Sequence, residues 1–353
     1  MVPDKEGFLY PVIDDSKCIN CKLCEKVHEE RLKITLGEPL KCYAMRDEDL
    51  MKPSSGGIAH LLSKRTILAG GIVYGAVFDG KAKHVRCEKT EELDALRGSK
   101  YAQSEIGLIY KSVQKDLNDK RPVLFIGTPC QIEGLRAFVK KDYDNLLTVD
   151  VVCHGAPSNQ MLNDYLDTIC TAENLQSLTF RDKSKGWGIN GAIYLKDGSK
   201  KPLWASASSY LSYFLDGSLY RDSCYECRFT SKNRPGDITL GDYWGIEKMH
   251  PEFNSELGVS AVICNTEKGK KAIGEILDKV EYVESTFEKI AEANTQLREP
   301  AVNKNPRIKE IYAEEGWKGI DREFQKKSWL DRNKSQLKSL IPTKIKKVLK
   351  RAM

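Results

Sequence analysis

No run in the chain approaches the roughly 18 consecutive apolar residues that a spanning helix needs, and Met1 to Asp15 lacks a basic start followed by an apolar core. The expectation is a protein that stays in the cytoplasm. Histidine is scarce: the five, at 28, 60, 84, 154 and 250, are scattered, and no His-Glu-x-x-His helix occurs. A Walker loop and a Gly-x-Ser-x-Gly elbow are missing too, so hydrolysis and phosphoryl transfer lack their machinery. Nor does any Gly-x-Gly-x-x-Gly follow a strand, which leaves a Rossmann dinucleotide site without support. Internal repeats of 20 to 50 residues are not visible, and no low-complexity tract precedes the C-terminal tail.

Net positive charge is confined to one segment. The formal net charge is +6, but Lys326 to Met353 holds ten Lys/Arg against the single acid Asp331, a local +9 that leaves the remainder at −3. Such a body offers no broad phosphate-binding footprint, so no nucleic-acid partner is expected. The tail spaces Ile341, Ile345, Val348 and Leu349 on one side with lysines elsewhere, a pattern open to peripheral contact with an anionic membrane or to a solvated basic helix.

What is present is ordinary globular material, 41% hydrophobic and 8% aromatic over 353 residues. Residues 14 to 46 are charged and cysteine-bearing with little periodicity, which reads as a small module held by a metal more than by a core. From Pro53 the texture changes. Ser54-Ser55-Gly56-Gly57 opens a helix carrying Ile58, Leu61 and Leu62; Ile72 to Phe78 reads as a strand; Thr90 opens a further helix; Ser104 to Leu117 repeats apolar residues at helical spacing. Val123 to Ile126, a helix from Gln131 to Val139 and Leu146 to Val152 make a parallel βαβ unit. Ser158 to Cys170 reads as helix, and Ser177 to Arg181, Gly191 to Leu195, Asp237 to Leu240 and Ala261 to Cys264 read as strands of a mixed, partly antiparallel region. The fold class expected is α/β (mixed α+β), a central mixed sheet flanked by helices, with a small N-terminal ferredoxin-like module.

Eleven cysteines, several in Cys-x-x-Cys spacing, favour metal over disulfide in a reducing compartment. Cys18, Cys21 and Cys24 are separated by two-residue gaps, which let one loop wrap three thiolates around a face of an iron-sulfur cube. The ferredoxin run would continue with a fourth cysteine where this chain has His28. Cys42 is the candidate for a remote fourth ligand; ligation by His28, zinc, or a loop with no metal remain open. A second set comprises Cys130, Cys153, Cys224 and Cys227. Two of these end parallel strands, at the sheet edge where sites of open α/β folds form, and both adjoin turn residues, which favours ligation over simple burial. His154 adjoins Cys153 and is the candidate catalytic group, a proton donor, with a hydrogen-bonded structural imidazole as the plainer reading. Trp187 and Trp244 read as core. An anion could bind the free amides at Ser55-Gly56-Gly57, helped by Arg97 or Lys100.

Taken together, the ordered blocks Ser54-Ser55-Gly56-Gly57, Leu96-Arg97-Gly98-Ser99-Lys100-Tyr101, Phe125 to Ile132, Val151-Val152-Cys153-His154-Gly155, Phe180 to Lys183, and Cys224 to Phe229 through Asp237 to Gly245 resemble the coenzyme F-420 hydrogenase/dehydrogenase beta-subunit family. The resemblance implies FAD and a 4Fe-4S cluster, with Cys130, Cys153, Cys224 and Cys227 as the recurring cysteines. It places Ser55, Gly56, Gly57 and Arg97, Gly98, Ser99, Lys100 and Tyr101 near the flavin. Three parts are expected: a degenerate ferredoxin-like iron-sulfur module over 1–50, a flavin- and cluster-binding catalytic domain over 51–290, and a helical C-terminal extension with the basic tail over 291–353.

The activity implied is oxidoreduction, electrons passing between one or two 4Fe-4S clusters and FAD to a small substrate or a deazaflavin-like cofactor, with an electron-donor or electron-acceptor protein as partner. Similar bacterial proteins often accompany polysaccharide-assembly genes. The rival classes are a non-enzymatic, zinc-stabilised interaction protein and a pure electron-transfer subunit that needs a partner for substrate chemistry.

Overall fold

The structure, a computed structural model, describes residues 1–48, 55–184 and 186–327. Ser54 and the basic tail from 328 onward, with its expected membrane contact, lie outside the described residues. The elements run β1 (Val2–Pro3), β2 (Leu9–Tyr10), α1 (Leu23–Leu32), β3 (Lys41–Arg46), α2 (Ile58–Leu68), β4 (Ile72–Phe78), β5 (Ala82–Cys87), α3 (Ile109–Asn118), β6 (Val123–Gly127), α4 (Pro129–Val139) and β7 (Leu146–Val151). There follow α5 (Asn159–Asp167), β8 (Leu175–Thr179), β9 (Gly191–Leu195), β10 (Lys200–Leu203), α6 (Ser209–Leu215), β11 (Ile238–Asp242), α7 (Ile246–Met249), β12 (Ser260–Cys264), α8 (Glu267–Gly274), β13 (Glu281–Ser285), α9 (Phe287–Ala293) and α10 (Arg307–Lys326).

Eight strands form one mixed sheet in the order β13-β3-β12-β11-β7-β6-β4-β5. Its middle strands β4, β6, β7 and β11 are parallel, and antiparallel strands complete both sides. Alternation along each strand splits the core into layers. Val73, Leu124, Val149 and Ile238 pack with Ile58 and Leu62 of α2 and Ile273 of α8. Their neighbours Ile72, Tyr74 and Phe125 face the other way, onto Val113 and Leu117 of α3 and Ile132 and Leu135 of α4. Each such aliphatic side chain contributes about 1.5–3 kcal/mol by leaving water. A second core joins the sheet β10-β9-β8 to α5, α6 and α10, around Tyr210, Leu211, Tyr220, Trp317 and Ile320.

The βαβ unit forms as expected. Gly127 ends β6, Thr128 closes a capping box with Gln131, and Pro129 at the first turn starts α4 with its missing N–H at no cost. The expected boundary at residue 50 needs correcting, because β3 runs inside the main sheet between β12 and β13. The extension from 291 is likewise no appendage: Ile308, Tyr312, Trp317 and Phe324 of α10 are buried in the second core. Among the described residues no helix is long and apolar enough to cross a membrane.

Candidate functional site

Because β6, β7 and β11 are parallel, their carboxyl ends meet at one edge of the sheet, and a cavity of about 1860 Å³ opens there. That is more space than the roughly 300–1,000 Å³ of a typical single-ligand pocket. Cys130, the second residue of α4, and Cys153, two residues past β7, line it together with Cys224. Cys227 completes the group. Cys153 lies within electrostatic reach of Cys130, Cys224 and Cys227, Cys224 of Cys130 and Cys227, and Cys130 of Cys227. Burial, then the neighbouring thiols, push Cys153 up to about 12; burial chiefly pushes Cys224 up to about 11 and raises Cys130. Among the described residues no three His, Cys, Asp or Glu side chains are gathered closely enough to hold a single metal ion.

The segment carrying Cys224 and Cys227 is tied to the strand that leads to Cys153. Arg234, 2% exposed, donates from Nε and NH2 to Asp150 Oδ1 at 3.1 and 2.7 Å, and also to the Phe229 and Val151 carbonyls. The second oxygen of Asp150, Oδ2, accepts from the Gly236 amide at 2.9 Å. A fully buried pair is thus satisfied on both sides, as such pairs must be to persist. At Gly155, φ is +114° and a Cβ would stand 2.3 Å from the Tyr220 ring, so only glycine lets that ring approach.

Tyr220 donates its hydroxyl hydrogen to the Phe214 carbonyl at 2.5 Å, and His154 Nδ1 meets the same hydroxyl oxygen. The tautomer follows: Nδ1 carries the hydrogen and Nε2 carries the lone pair. Burial lowers the pKa of His154, which keeps the ring neutral. His154 lines the cavity, close enough to Cys153 in sequence to share its surroundings.

Ser55, Gly57, Arg97, Gly98, Ser99, Lys100 and Tyr101 line the same cavity. Gly57 sits at φ +87° at the start of α2, where the first amides are free of helical partners. Gly56 lies behind it against the sheet, its amide donating to Ser260 Oγ at 3.0 Å. Lys100 donates to the carbonyls of Ala95, Leu96 and Arg97 at 3.1, 2.9 and 2.7 Å. Those acceptors favour the ammonium, while burial pulls its pKa down to about 7. Arg97 pairs with Asp94 at 2.8 Å. Tyr101 stacks on Phe214 at 4.6 Å and accepts from Arg181, which is ion-paired to Asp242 at 2.7 Å.

Two expectations need correcting. Cys42 lies within β3, 5% exposed in an apolar cluster with Ala44, Tyr243 and Ile263, and burial pushes its thiol up to about 12. Cys18, Cys21 and Cys24 are exposed, so the structure does not bring Cys42 to them. A thiol packed in a sheet cannot share a shell with three at the surface. The run itself curls through left-handed backbone at Asn20 and Lys22, φ +53° and +58°, before α1 begins. Trp244, expected in the core, lines the cavity with its ring 4.2 Å from Trp187. Sequence reasoning does not place Arg181, Asp242 and Arg221 at the cavity; for the first of them the available signal is a charged residue inside the short family-like block Phe180-Arg181-Asp182-Lys183.

Residues 120–289 match a family described as the C terminus of the coenzyme F420 hydrogenase/dehydrogenase beta chain. Among solved structures, a chain of the F420-reducing [NiFe] hydrogenase complex from Methanosarcina barkeri is similar at 18% identity, over 82% of this chain and 91% of that one, with a TM-score of 0.48. No curated protein matches the sequence. The stretch matched by the family spans α4, β7, β11 and β12, and with them Cys130, Cys153, Cys224 and Cys227, and over it the chain is similar to the coenzyme F420 hydrogenase/dehydrogenase beta-subunit family.

Proposed function

We propose that the protein is an iron-sulfur flavoprotein oxidoreductase in which Cys130, Cys153, Cys224 and Cys227 hold a 4Fe-4S cluster and the adjoining cavity holds FAD. The observation that carries this reading is the convergence of four thiols from three stretches of chain, Cys130, Cys153 and Cys224 lining one cavity and Cys227 within electrostatic reach of them. They stand within mutual electrostatic reach but without the tight grouping a lone ion needs, and a four-iron cube is the larger object that spreads its thiolates.

The cavity suits a phosphate-bearing cofactor. Lys100 and Arg221 line it, and both donate to neutral oxygens, those of Ala95, Leu96 and Arg97 for one and of Leu9 and Gln103 for the other. Free amides at the start of α2 add donors for an anion. Bound there, a flavin supplies hydride and single-electron chemistry and the cluster supplies single-electron chemistry.

The chain's own residues do the rest. Tyr101, Phe214 and Trp244 wall the cavity against water, and the Arg181–Asp242 pair fixes Tyr101. His154 presents Nε2 as a proton acceptor at neutral pH, held in orientation by Tyr220. Cys18, Cys21 and Cys24 are read as ligands of a second, outer group on a module over roughly the first 40 residues, facing an electron-transfer protein. The substrate is read as small, a deazaflavin being one candidate.

Anaerobic purification of the full chain tests the proposal. Brown-yellow protein with iron, labile sulfide and releasable flavin is the expected result. Colourless protein with stoichiometric zinc and no flavin overturns it in favour of a zinc-stabilised interaction protein.

A further inference from the structure

Glu133 is the one glutamate among the described residues whose side chain is wholly buried. It lies three residues after Cys130 on α4, on the same helical face. Arginines from elsewhere reach both of its oxygens, one through hydrogen bonds and the other as an ion pair alone. Arg31 donates to Oε2 from Nε and NH2 at 2.9 and 2.7 Å, and Arg228 reaches Oε1. Arg31 stands at the far end of α1, the helix that begins around Cys24, and Arg228 directly follows Cys227. One carboxylate therefore joins three pieces of chain, each bearing cysteine.

This contact matters more than an ordinary ion pair because α1 has little else to hold it. Its apolar residues Leu23, Val27 and Leu32 are 60%, 46% and 62% exposed, so no apolar face docks the helix. Two guanidiniums against one carboxylate also leave a net positive charge beside the inner thiols.

We propose that Glu133 is a positioning residue that registers the outer cysteine helix against the inner cysteine site, and that Arg31 and Arg228, opposed by Glu133, set how readily that site accepts an electron. The charge part rests on the cluster reading above. Adding an electron makes the centre more negative, so a nearby cation stabilises the reduced form and a nearby anion opposes it.

The test uses the full chain, purified anaerobically, in a redox titration followed by electron paramagnetic resonance. Arg31→Gln and Arg228→Gln are expected to lower the midpoint by about 59 mV, which is about tenfold in the one-electron equilibrium. Glu133→Gln is expected to raise it. Shifts in one common direction, or none, overturn the charge role, since a merely structural part would not invert sign between partners. Arg31→Lys keeps the charge against the buried Glu133 carboxylate and should restore the midpoint even where Glu133→Gln yields too little protein. Hydrogen exchange on the iron-free chain reads the joint separately: α1 amides should lose protection in Glu133→Gln and Arg31→Gln, and unchanged exchange overturns the registering role. Wild type without iron would sink the cluster reading while leaving that exchange result to decide the joint.

Discussion

Arg234 and Asp150 are both fully buried and share two hydrogen bonds through a single carboxylate oxygen, so the segment after Cys227 is pinned to the strand that ends just before Cys153. Two proposed ligands that lie far apart in sequence are held in register by a pair that touches neither.

Replacing one partner leaves the other charged and dry. Arg234→Met should therefore cost about 3–5 kcal/mol in urea unfolding, and the protein that remains folded should bind less iron. The double variant Asp150→Leu/Arg234→Met should recover part of the stability and none of the iron. Full iron in the single variant would show that the pair does not position the inner thiols.

Cys227→Ala should strip iron and labile sulfide from the inner site while leaving flavin bound, because Cys227 does not line the cavity. Metal analysis and the flavin spectrum on one sample read both. Unchanged iron would remove Cys227 from the ligand set.

Two glycines beside the proposed flavin differ in kind. A Cβ at Gly56 would lie 2.3 Å from the Met45 carbonyl and 2.7 Å from the Ser260 nitrogen, backbone atoms that cannot withdraw, whereas Gly98 at φ +81° has open space around it. Gly56→Ala should cost about 1–3 kcal/mol by overpacking and weaken flavin retention. Gly98→Ala should cost only the left-handed backbone penalty, about 1–2 kcal/mol. A smaller loss of stability and of flavin in Gly56→Ala than in Gly98→Ala would contradict this.

His84 gives the stability a pH dependence of known sign. Burial lowers its pKa to about 4, with Nε2 bonded to the Ile126 carbonyl, Nδ1 to Ser104 Oγ, and the ring stacked on Phe125. The unfolded chain takes up this proton first, near pH ~6.5. Stability from His84 is thus present above that pH and is lost as pH falls toward about 4, by up to about 3 kcal/mol. Urea midpoints between pH 7 and 4.5 should slope less in His84→Gln than in wild type; equal slopes would remove His84 as the cause.

Much of the fold is legible where local pattern and tertiary role agree. Val123 to Ile126 and Leu146 to Val152 are apolar runs bounded by turn residues, and they form the parallel strands β6 and β7. The strand Lys41–Arg46 is not legible. Its residues Cys42 to Met45 are buried on both faces, so there is no alternation to read, and its cysteine invites a metal. Placement of Cys130 and Cys153 at the cavity follows from strand direction alone, whereas Cys224 and Cys227 stand at no strand end. Asp242 ends β11 and Trp244 stands two residues past it, so the same rule reaches both, whereas Arg181 cannot be placed that way because it follows β8, a strand of the other sheet.

The position of β3 carries a consequence for biosynthesis. Its Met45 pairs with Ser260 on one side and with Tyr282 on the other. During translation both hydrogen-bonding neighbours emerge roughly 200 residues after this stretch, the separation of β3 from β12 and β13. Tyr43, Ala44 and Met45 must wait unpaired until then, a long-range closure of the kind that slows folding and exposes sticky surface meanwhile. Truncations from the carboxyl side that remove β12 and β13 would strand an orphaned apolar segment near the amino terminus and should appear in inclusion bodies.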